Sequence, residues 1–283
     1  MEYLPDSFIA IAIFVFGLLI GSFLNVVIYR LPRRESIVFP GSHCPNCDVA
    51  VKAYDNIPVL SYVILGGRCR NCRVRISPVY PAVELLVACL YLLLFFKDGR
   101  SLTFLVDVVF VSLIVPLVFI DLRHKILPNA INYPGILLMT LLRALVPDPV
   151  IIKWMSHAFR LMGLSAQPDW VMALGGSFLG ALAGGGSLWL VRELYFRFRG
   201  VEGMGLGDVK MMLMVGAFLG WQRTLLTIFV ASLIGSIVGI VWIKLKGGTI
   251  KMEIPFGVFL GPAAIITLFV GHELIAWYVE LYR

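Results

Sequence analysis

Charge is what this 283-residue sequence has least of: 14% of its residues are Asp, Glu, Lys or Arg, while 59% are hydrophobic. A water-soluble domain of this length would lack the charged surface that keeps it in solution. The basic excess, 24 Lys and Arg against 17 Asp and Glu, is scattered between hydrophobic runs and forms no single stripe, which argues against a nucleic-acid partner. Internal repeats and low-complexity tracts are also missing. The first hydrophobic run, 8–29, lacks the basic start and short apolar stretch of a secretory signal. It opens after Glu2 and Asp6, and Arg30, Arg33 and Arg34 follow it, so it reads as a retained span whose start lies outside.

Apolar runs of roughly bilayer-crossing length, about 20 residues each, fill most of the chain. Eight are legible: 8–29, 79–96, 101–120, 130–146, 171–191, 211–221, 224–243 and 255–279. The sixth is short, and the fourth carries Arg143 near one end. With the N-terminus outside, the inside loops 30–78, 121–129, 192–210 and 244–254 hold 17 of the 24 Lys and Arg, as the positive-inside rule requires. The expected fold is an all-α polytopic membrane protein with about eight transmembrane helices and a small zinc-ribbon-like cytoplasmic insertion. Its segments are 1–29 (first span), 30–78 (insertion) and 79–283 (seven-span core). The segment 147–170 carries Ile151, Ile152, Met155, Phe159 and Met162 at helical spacing and reads as an outside interfacial helix. Gly176, Gly180 and Gly184, and likewise Gly235 and Gly239, stand four apart, a spacing that lets helices approach closely in lipid.

Four of the five cysteines lie in the insertion, as Cys44-Pro-Asn-Cys47 and Cys69-Arg-Asn-Cys72 with 21 residues between the pairs. Such knuckles bring four thiolates around one tetrahedral ion, and soft sulfur selects zinc. A disulfide framework is the competing account, disfavoured because the loop falls on the reducing side. Four protein ligands close the coordination shell, so the ion is expected to be structural. His43 adjoins a ligand as a possible substitute. Cys89, inside the second run, reads as a buried small hydrophobe. Arg68, Arg70, Arg73 and Arg75 read as solvated charge, with anionic lipid headgroups as the alternative.

Two aspartates stand where hydrophobic runs meet inside loops: Asp121 in Phe-Ile-Asp-Leu-Arg, and Asp208 in Gly-Leu-Gly-Asp-Val-Lys. Each alone reads as an interfacial cap or an ion-pair partner. Together, on one face of the membrane, they are a candidate catalytic pair. Two carboxylates sharing a site do not both ionise cheaply, so one keeps a proton. The ionised partner then activates a water while the protonated one polarises a peptide carbonyl. Gly203, Gly205 and Gly207 offer bare backbone and freedom at positive φ, so Gly205 and Gly207 are candidate substrate-strand contacts. Ile126-Leu127-Pro128-Asn129 ends one helix and begins the next. Lys210 either orients Asp208 or marks the inside boundary. Glu84, one turn inside a span, either contacts substrate or pairs with a loop arginine. Asp107, His272 and Glu273 read as polar packing in the outside half.

At these residues the chain resembles the type IV prepilin peptidases. Gly21-Ser-Phe-Leu-Asn-Val-Val-Ile-Tyr-Arg-Leu-Pro32 is similar to that family's opening motif, and Asp55-Asn-Ile-Pro-Val-Leu-Ser-Tyr62 lies between the cysteine pairs as it does there. Tyr80-Pro-Ala-Val-Glu-Leu-Leu86 resembles the second-span signature, with Val79 where an arginine is frequent. Glu202-Gly-Met-Gly-Leu-Gly-Asp208 matches the GxGD region, and Pro255-Phe-Gly-Val258 departs from the usual ending only at its last position. The resemblance implies that Asp121 and Asp208 are catalytic, that the four cysteines bind zinc, and that the substrates are prepilins or pseudopilins cut at the cytoplasmic face of a bacterial inner membrane. It also implies methylation of the new N-terminus from S-adenosylmethionine, for which the residues show no conventional cofactor motif. Gly66 and Gly67, before the second knuckle, are the candidate cofactor contacts, a tight turn presenting Cys69 being the simpler account. The alternatives are a peptidase without methyl transfer and a non-enzymatic membrane scaffold whose zinc module docks partners. Membrane lipids are expected neighbours; nothing in the sequence sets an oligomeric state.

Overall fold

The computed structural model describes residues 5–165, 167–201, 203–246 and 255–281, apart from the side chain of Lys246. Glu2, Glu202, Arg283 and positions 247–254 of the expected inside loop lie outside the described residues. The chain forms two compact units, Met1–Pro116 and Leu117–Arg283. Among the described residues the only β structure is two isolated bridges, so the fold is helical throughout.

In the first unit, α1 (Asp6–Arg30) runs without an internal charge, and a 3-10 turn, Leu31–Arg33, ends it. The insertion follows, with one short helix, α2 (Leu60–Ile64); then come α3 (Val79–Asp98) and the beginning of α4 (Leu102–His124). α1 and α3 pack through two glycines. A Cβ on Gly17 would lie 2.6 Å from the Ala88 Cα, and one on Gly21 would lie 2.7 Å from the Glu84 Cα. Only bare backbone permits this approach. At the same contact Asn25 Nδ2 donates to the Tyr80 carbonyl at 2.9 Å. Asp107, buried in α4, is paired with Lys97 at 2.8 Å, the polar packing expected of it.

The second unit holds the end of α4, then α5 (Asn129–Leu145), α6 (Pro149–Leu161), α7 (Asp169–Ala181), a π-turn at Leu182–Gly186, α8 (Ser187–Arg199), α9 (Leu206–Leu219), α10 (Trp221–Lys246) and α11 (Gly257–Glu280). α9 is the core of this unit. Met211, Met212, Met214, Val215, Ala217 and Phe218 are all buried, as a helix apolar on every side should be. It meets α7 backbone to backbone, since a Cβ on Gly180 would fall 2.0 Å from the Gly216 carbonyl oxygen. In the expected stripe Gly180 and Gly184 thus face α9 and Gly176 admits Ile151 of α6, whereas Gly239 has nothing within 4 Å.

Each of the eight apolar runs lies on a helix. Among the described residues six helical stretches are long and apolar enough to cross a bilayer, and α5 with α6, bent by 78°, brings the number to seven if that pair is one span. At 14 residues α9 is about 21 Å long, short of a hydrocarbon core of about 30 Å, so the run expected over 211–221 is an internal helix.

Several local expectations change. α6 does not simply lie on an interface: Ile151 and Met155 are buried with Met172, and Ile152 and Phe159 pack against them. Arg143, the anomaly of the fourth run, is 1% exposed; its Nε donates to the Phe218 carbonyl at 2.9 Å, and its guanidinium stacks 3.9 Å over the Phe218 ring. Asp148 caps α6 by accepting from the Val150 amide, forms an ion pair with Arg223 and stands 3.9 Å from Arg143. Arg223 Nε donates to the Leu219 carbonyl at 2.9 Å. Two arginines thus sit at the carbonyl end of α9, where the helix dipole favours positive charge. Cys89 is exposed on α3, not buried, because the packed face of that helix falls on Val83, Glu84, Val87, Ala88 and Tyr91. His272 and Glu273 are also exposed, since the packed stripe of α11 is carried by Ala264, Thr267, Leu268 and Gly271.

Candidate functional site

The second unit brings Asp121 and Asp208 together. Asp121 lies in the last turn of α4, which ends as Lys125 turns to φ +54 and its amide donates to the Asp121 carbonyl. The chain then extends to Pro128, whose carbonyl accepts the first amides of α5. Asp208 is the third residue of α9 and not its cap: Gly205, in extended conformation, occupies the cap position with φ −73. Both acids are nearly out of reach of solvent, Asp121 at 4% exposure and Asp208 at 8%.

The N-terminus of α11 completes the arrangement. The amides of Gly257 and Val258 face the Asp121 carboxylate, and those of Gly257 and Gly205 face Asp208. One amide therefore serves both acids, at a helix end where unpaired N–H groups and the dipole favour negative charge. The two carboxylates are close enough to repel each other when ionised. Oδ2 of Asp121 is buried and makes no hydrogen bond to any described residue. A buried acceptor of this kind is costly to leave unmatched.

Bare backbone makes room for the pair. A Cβ on Gly257 would lie 2.6 Å from Asp121 Oδ2, and one on Gly207 would lie 2.9 Å from Leu127 Cβ. Leu127 packs against both glycines and forms the apolar floor of the site. Gly203, Gly205 and Gly207 do not use positive φ; what matters at Gly207 is the missing side chain. Lys210 donates to Asn129 Oδ1 at 2.9 Å, tying α9 to α5 instead of orienting Asp208. Sequence reasoning assigned nothing to Leu127 or to Asn132, which is fully buried and donates to the Leu127 carbonyl at 3.3 Å. A lone Asn in the first turn of an apolar run was the available signal.

The first unit carries a candidate metal centre. The Sγ atoms of Cys44, Cys47, Cys69 and Cys72 all lie within 4.8 Å of one another, with Cys44 and Cys72 3.8 Å apart. A tetrahedral ion with bonds of about 2.3 Å to sulfur would hold its ligands about 3.8 Å apart, so the four residues fit such an ion. All four are free cysteines, with no disulfide among them. The knuckles are built alike: the amides of Cys44 and Cys69 donate to Val49 and Val74, and the turns close through Asp48 and Arg73 at positive φ. Each also sends an asparagine across, Asn46 Nδ2 to Cys72 Sγ and Asn71 Nδ2 to Cys47 Sγ, both at 3.6 Å. The Val49 amide, and then Asn71, pull the Cys47 thiol down to about 6, while burial pushes Cys44 up to about 11. His43 is half-buried beside the Gly41 carbonyl and is not among the clustered ligands.

Gly66 and Gly67 occupy successive left-handed positions of the turn before the second knuckle, and a Cβ on Gly67 would lie 3.0 Å from the Tyr62 ring. Arg70 grips Asp55 through two hydrogen bonds of 2.7 and 2.6 Å, which holds the Asp55 carboxyl below its usual range. Beside the knuckles is a cavity of about 870 Å³ lined by Ser22, Asn25, Tyr29, Val59, Tyr62 and Glu84, among others. Glu84 pairs with no arginine there: its Oε2 accepts from the Val59 amide at 2.7 Å. Val59 stands at φ +60, a strained conformation for a β-branched residue that this bond helps to hold.

Two family models match: residues 15–97 fit the bacterial peptidase A24 N-terminal domain, and residues 108–240 fit the type IV leader peptidase family. Among curated relatives, a prepilin leader peptidase/N-methyltransferase from Pseudomonas putida is 33% identical, over 98% of this chain and 96% of its own length. The protein of the same name from Aeromonas salmonicida (strain A449) is 35% identical, over 95% and 93%, and that of Pseudomonas aeruginosa 33%, over 99% and 97%. No solved structure matches. With similarity running nearly end to end in relatives of the same length, this chain belongs to the type IV leader peptidase family.

Proposed function

We propose that this membrane peptidase, which also methylates, removes the short basic leader of prepilins or pseudopilins at the cytoplasmic face of the bacterial inner membrane. The observation that carries this reading is the pair of buried aspartates facing one amide, that of Gly257. Of the two carboxyls, one holds a proton and the other is ionised. The ionised group takes a proton from water as its oxygen attacks the scissile carbonyl carbon; the protonated group donates a hydrogen bond to the carbonyl oxygen. Collapse of the tetrahedral species breaks the C–N bond, and the amine leaves with a proton delivered by the pair. Gly205 borders Asp208 without a side chain and leaves room for an extended substrate strand, whereas at Gly207, where Leu127 fills the space, contact with substrate would be through backbone. The distribution of Lys and Arg supports the cytoplasmic assignment.

The test is cleavage of a prepilin in reconstituted membranes by Asp121→Asn and Asp208→Asn variants. Loss of all product in both is expected; normal processing in either refutes the pair.

Methyl transfer is the second step, and the cavity in the first unit supports its location. At about 870 Å³ it falls in the range of small-molecule sites, about 300–1,000 Å³, and it combines aromatic walls with Ser22, Asn25 and Glu84. S-adenosylmethionine supplies an electrophilic methyl group when bound. Glu84 is the acid that would attract the new amino terminus; Gly66 and Gly67, the candidate cofactor contacts, border instead a neighbouring cavity of about 540 Å³ with Tyr62 and Arg75. The four thiolates would hold zinc as a structural ion, since no coordination position stays open. Equilibrium binding of S-adenosylmethionine, together with the N-terminal mass of the cleaved product, separates this reading from a peptidase alone: an unmethylated product and no binding would remove the second activity.

A further inference from the structure

Between the end of α1 and the first knuckle, the chain displays three apolar side chains that nothing in the first unit covers. Ile37, Val38 and Phe39 are 38%, 66% and 76% exposed. The display is built. The Arg30 guanidinium, itself buried, donates from Nη1 to the Ser36 carbonyl and from Nη2 to the Gly41 carbonyl, both at 3.0 Å. Both ends of the segment 36–41 are thereby clamped to the last residue of α1. Inside it, Ser36 Oγ accepts from the amides of Val38 and Phe39 at 3.3 and 3.2 Å, which folds the tip on itself and leaves its side chains pointing away. Arg34 at φ +60 turns the chain out of the helix, and the Glu35 amide closes that turn on the Arg30 carbonyl.

A fixed apolar tip of this kind marks a contact with a membrane or a partner. Its position decides between them. α1 is a membrane-crossing helix, so Arg30 lies at the level where hydrocarbon gives way to headgroups, and the clamp holds the tip at that level. Arg33 and Arg34 stand beside it; basic residues at a bilayer surface favour anionic lipid. We infer that Ile37, Val38 and Phe39 insert into the boundary between headgroups and acyl chains of an anionic bilayer and anchor the cysteine module to the membrane surface.

A photo-crosslinking p-benzoylphenylalanine at Phe39 of the full chain, in vesicles of phosphatidylethanolamine and phosphatidylglycerol, tests this directly. The same group at Phe16, an exposed position midway along α1, reports lipid contact within the span. The expected result is lipid adducts from Phe39 as well as from Phe16, with the Phe39 yield falling when phosphatidylcholine replaces phosphatidylglycerol. Lipid adducts from Phe16 alone, or capture by Phe39 of a protein chain instead of lipid, would overturn the anchor. An unchanged Phe39 yield without phosphatidylglycerol would overturn the role given to Arg33 and Arg34.

Discussion

A methyl group added to Gly257 would lie 2.6 Å from Oδ2 of Asp121, closer than any real contact at Cβ. The same residue offers its amide to both catalytic candidates, so α11 cannot retreat without withdrawing that amide. Gly257→Ala should therefore lower kcat by about 100-fold or more, the effect of a displacement near 1 Å at a reacting centre. The thermal unfolding temperature in detergent should change far less than activity. Wild-type turnover by this variant would remove Gly257 from the site.

The arginine–aspartate cluster at the far end of α9 predicts a different outcome. Asp148 is shared by Arg143 and Arg223, and removing it takes away the carboxylate that both buried guanidinium groups face. Asp148→Asn and Arg223→Gln should each destabilise the second unit by about 3–5 kcal/mol, the usual result of stranding one half of a buried pair. Thermal unfolding in detergent measures this, and a shift no larger than that of a surface substitution would contradict it.

The glycines divide into two groups. Gly180→Ala would drive a methyl group to 2.0 Å from the Gly216 carbonyl oxygen, which the rigid backbone cannot yield. Loss of folded protein is expected. Gly239→Ala meets nothing within 4 Å and should fold and cleave like the parent. Equal behaviour of the two variants would contradict the packing of α7 on α9.

Metal content separates the four clustered cysteines from the fifth. The parent should carry one zinc per chain by elemental analysis, and Cys44→Ser or Cys72→Ser should lose it, because three thiolates no longer close the tetrahedron. Cys89, exposed on a membrane-crossing helix, should react with a lipid-soluble maleimide and not with a charged one. Labelling of Cys89 by the charged reagent alone would contradict its placement against lipid.

Much of this protein was written locally. Hydrophobic runs of bilayer length follow from composition and need no partner to be recognised, and each of the eight lies on a helix. Two Cys-x-Asn-Cys knuckles were equally plain, because a tetrahedral ion needs only ligand type and spacing. Both aspartates were legible as acids at the ends of apolar runs.

Contacts between helices were not. The exposure of Cys89, the burial of Arg143 and the exposure of His272 depend on which stripe of each helix finds a neighbour, and α3 and α11 are too uniformly apolar to declare one. α6 looked like a surface helix until Gly176 admitted Ile151 against α7. Composition and spacing are enough to locate the segments able to cross a bilayer, the gathering of the thiolates and the carboxyls at the boundary. Helix packing adds that α9 is short and buried at the centre of its unit, and that the start of α11 stands beside both acids. Length and hydropathy are properties of a single segment, whereas the meeting of Asp121, Asp208 and Gly257 requires three helix ends, far apart in the chain, to close on one point.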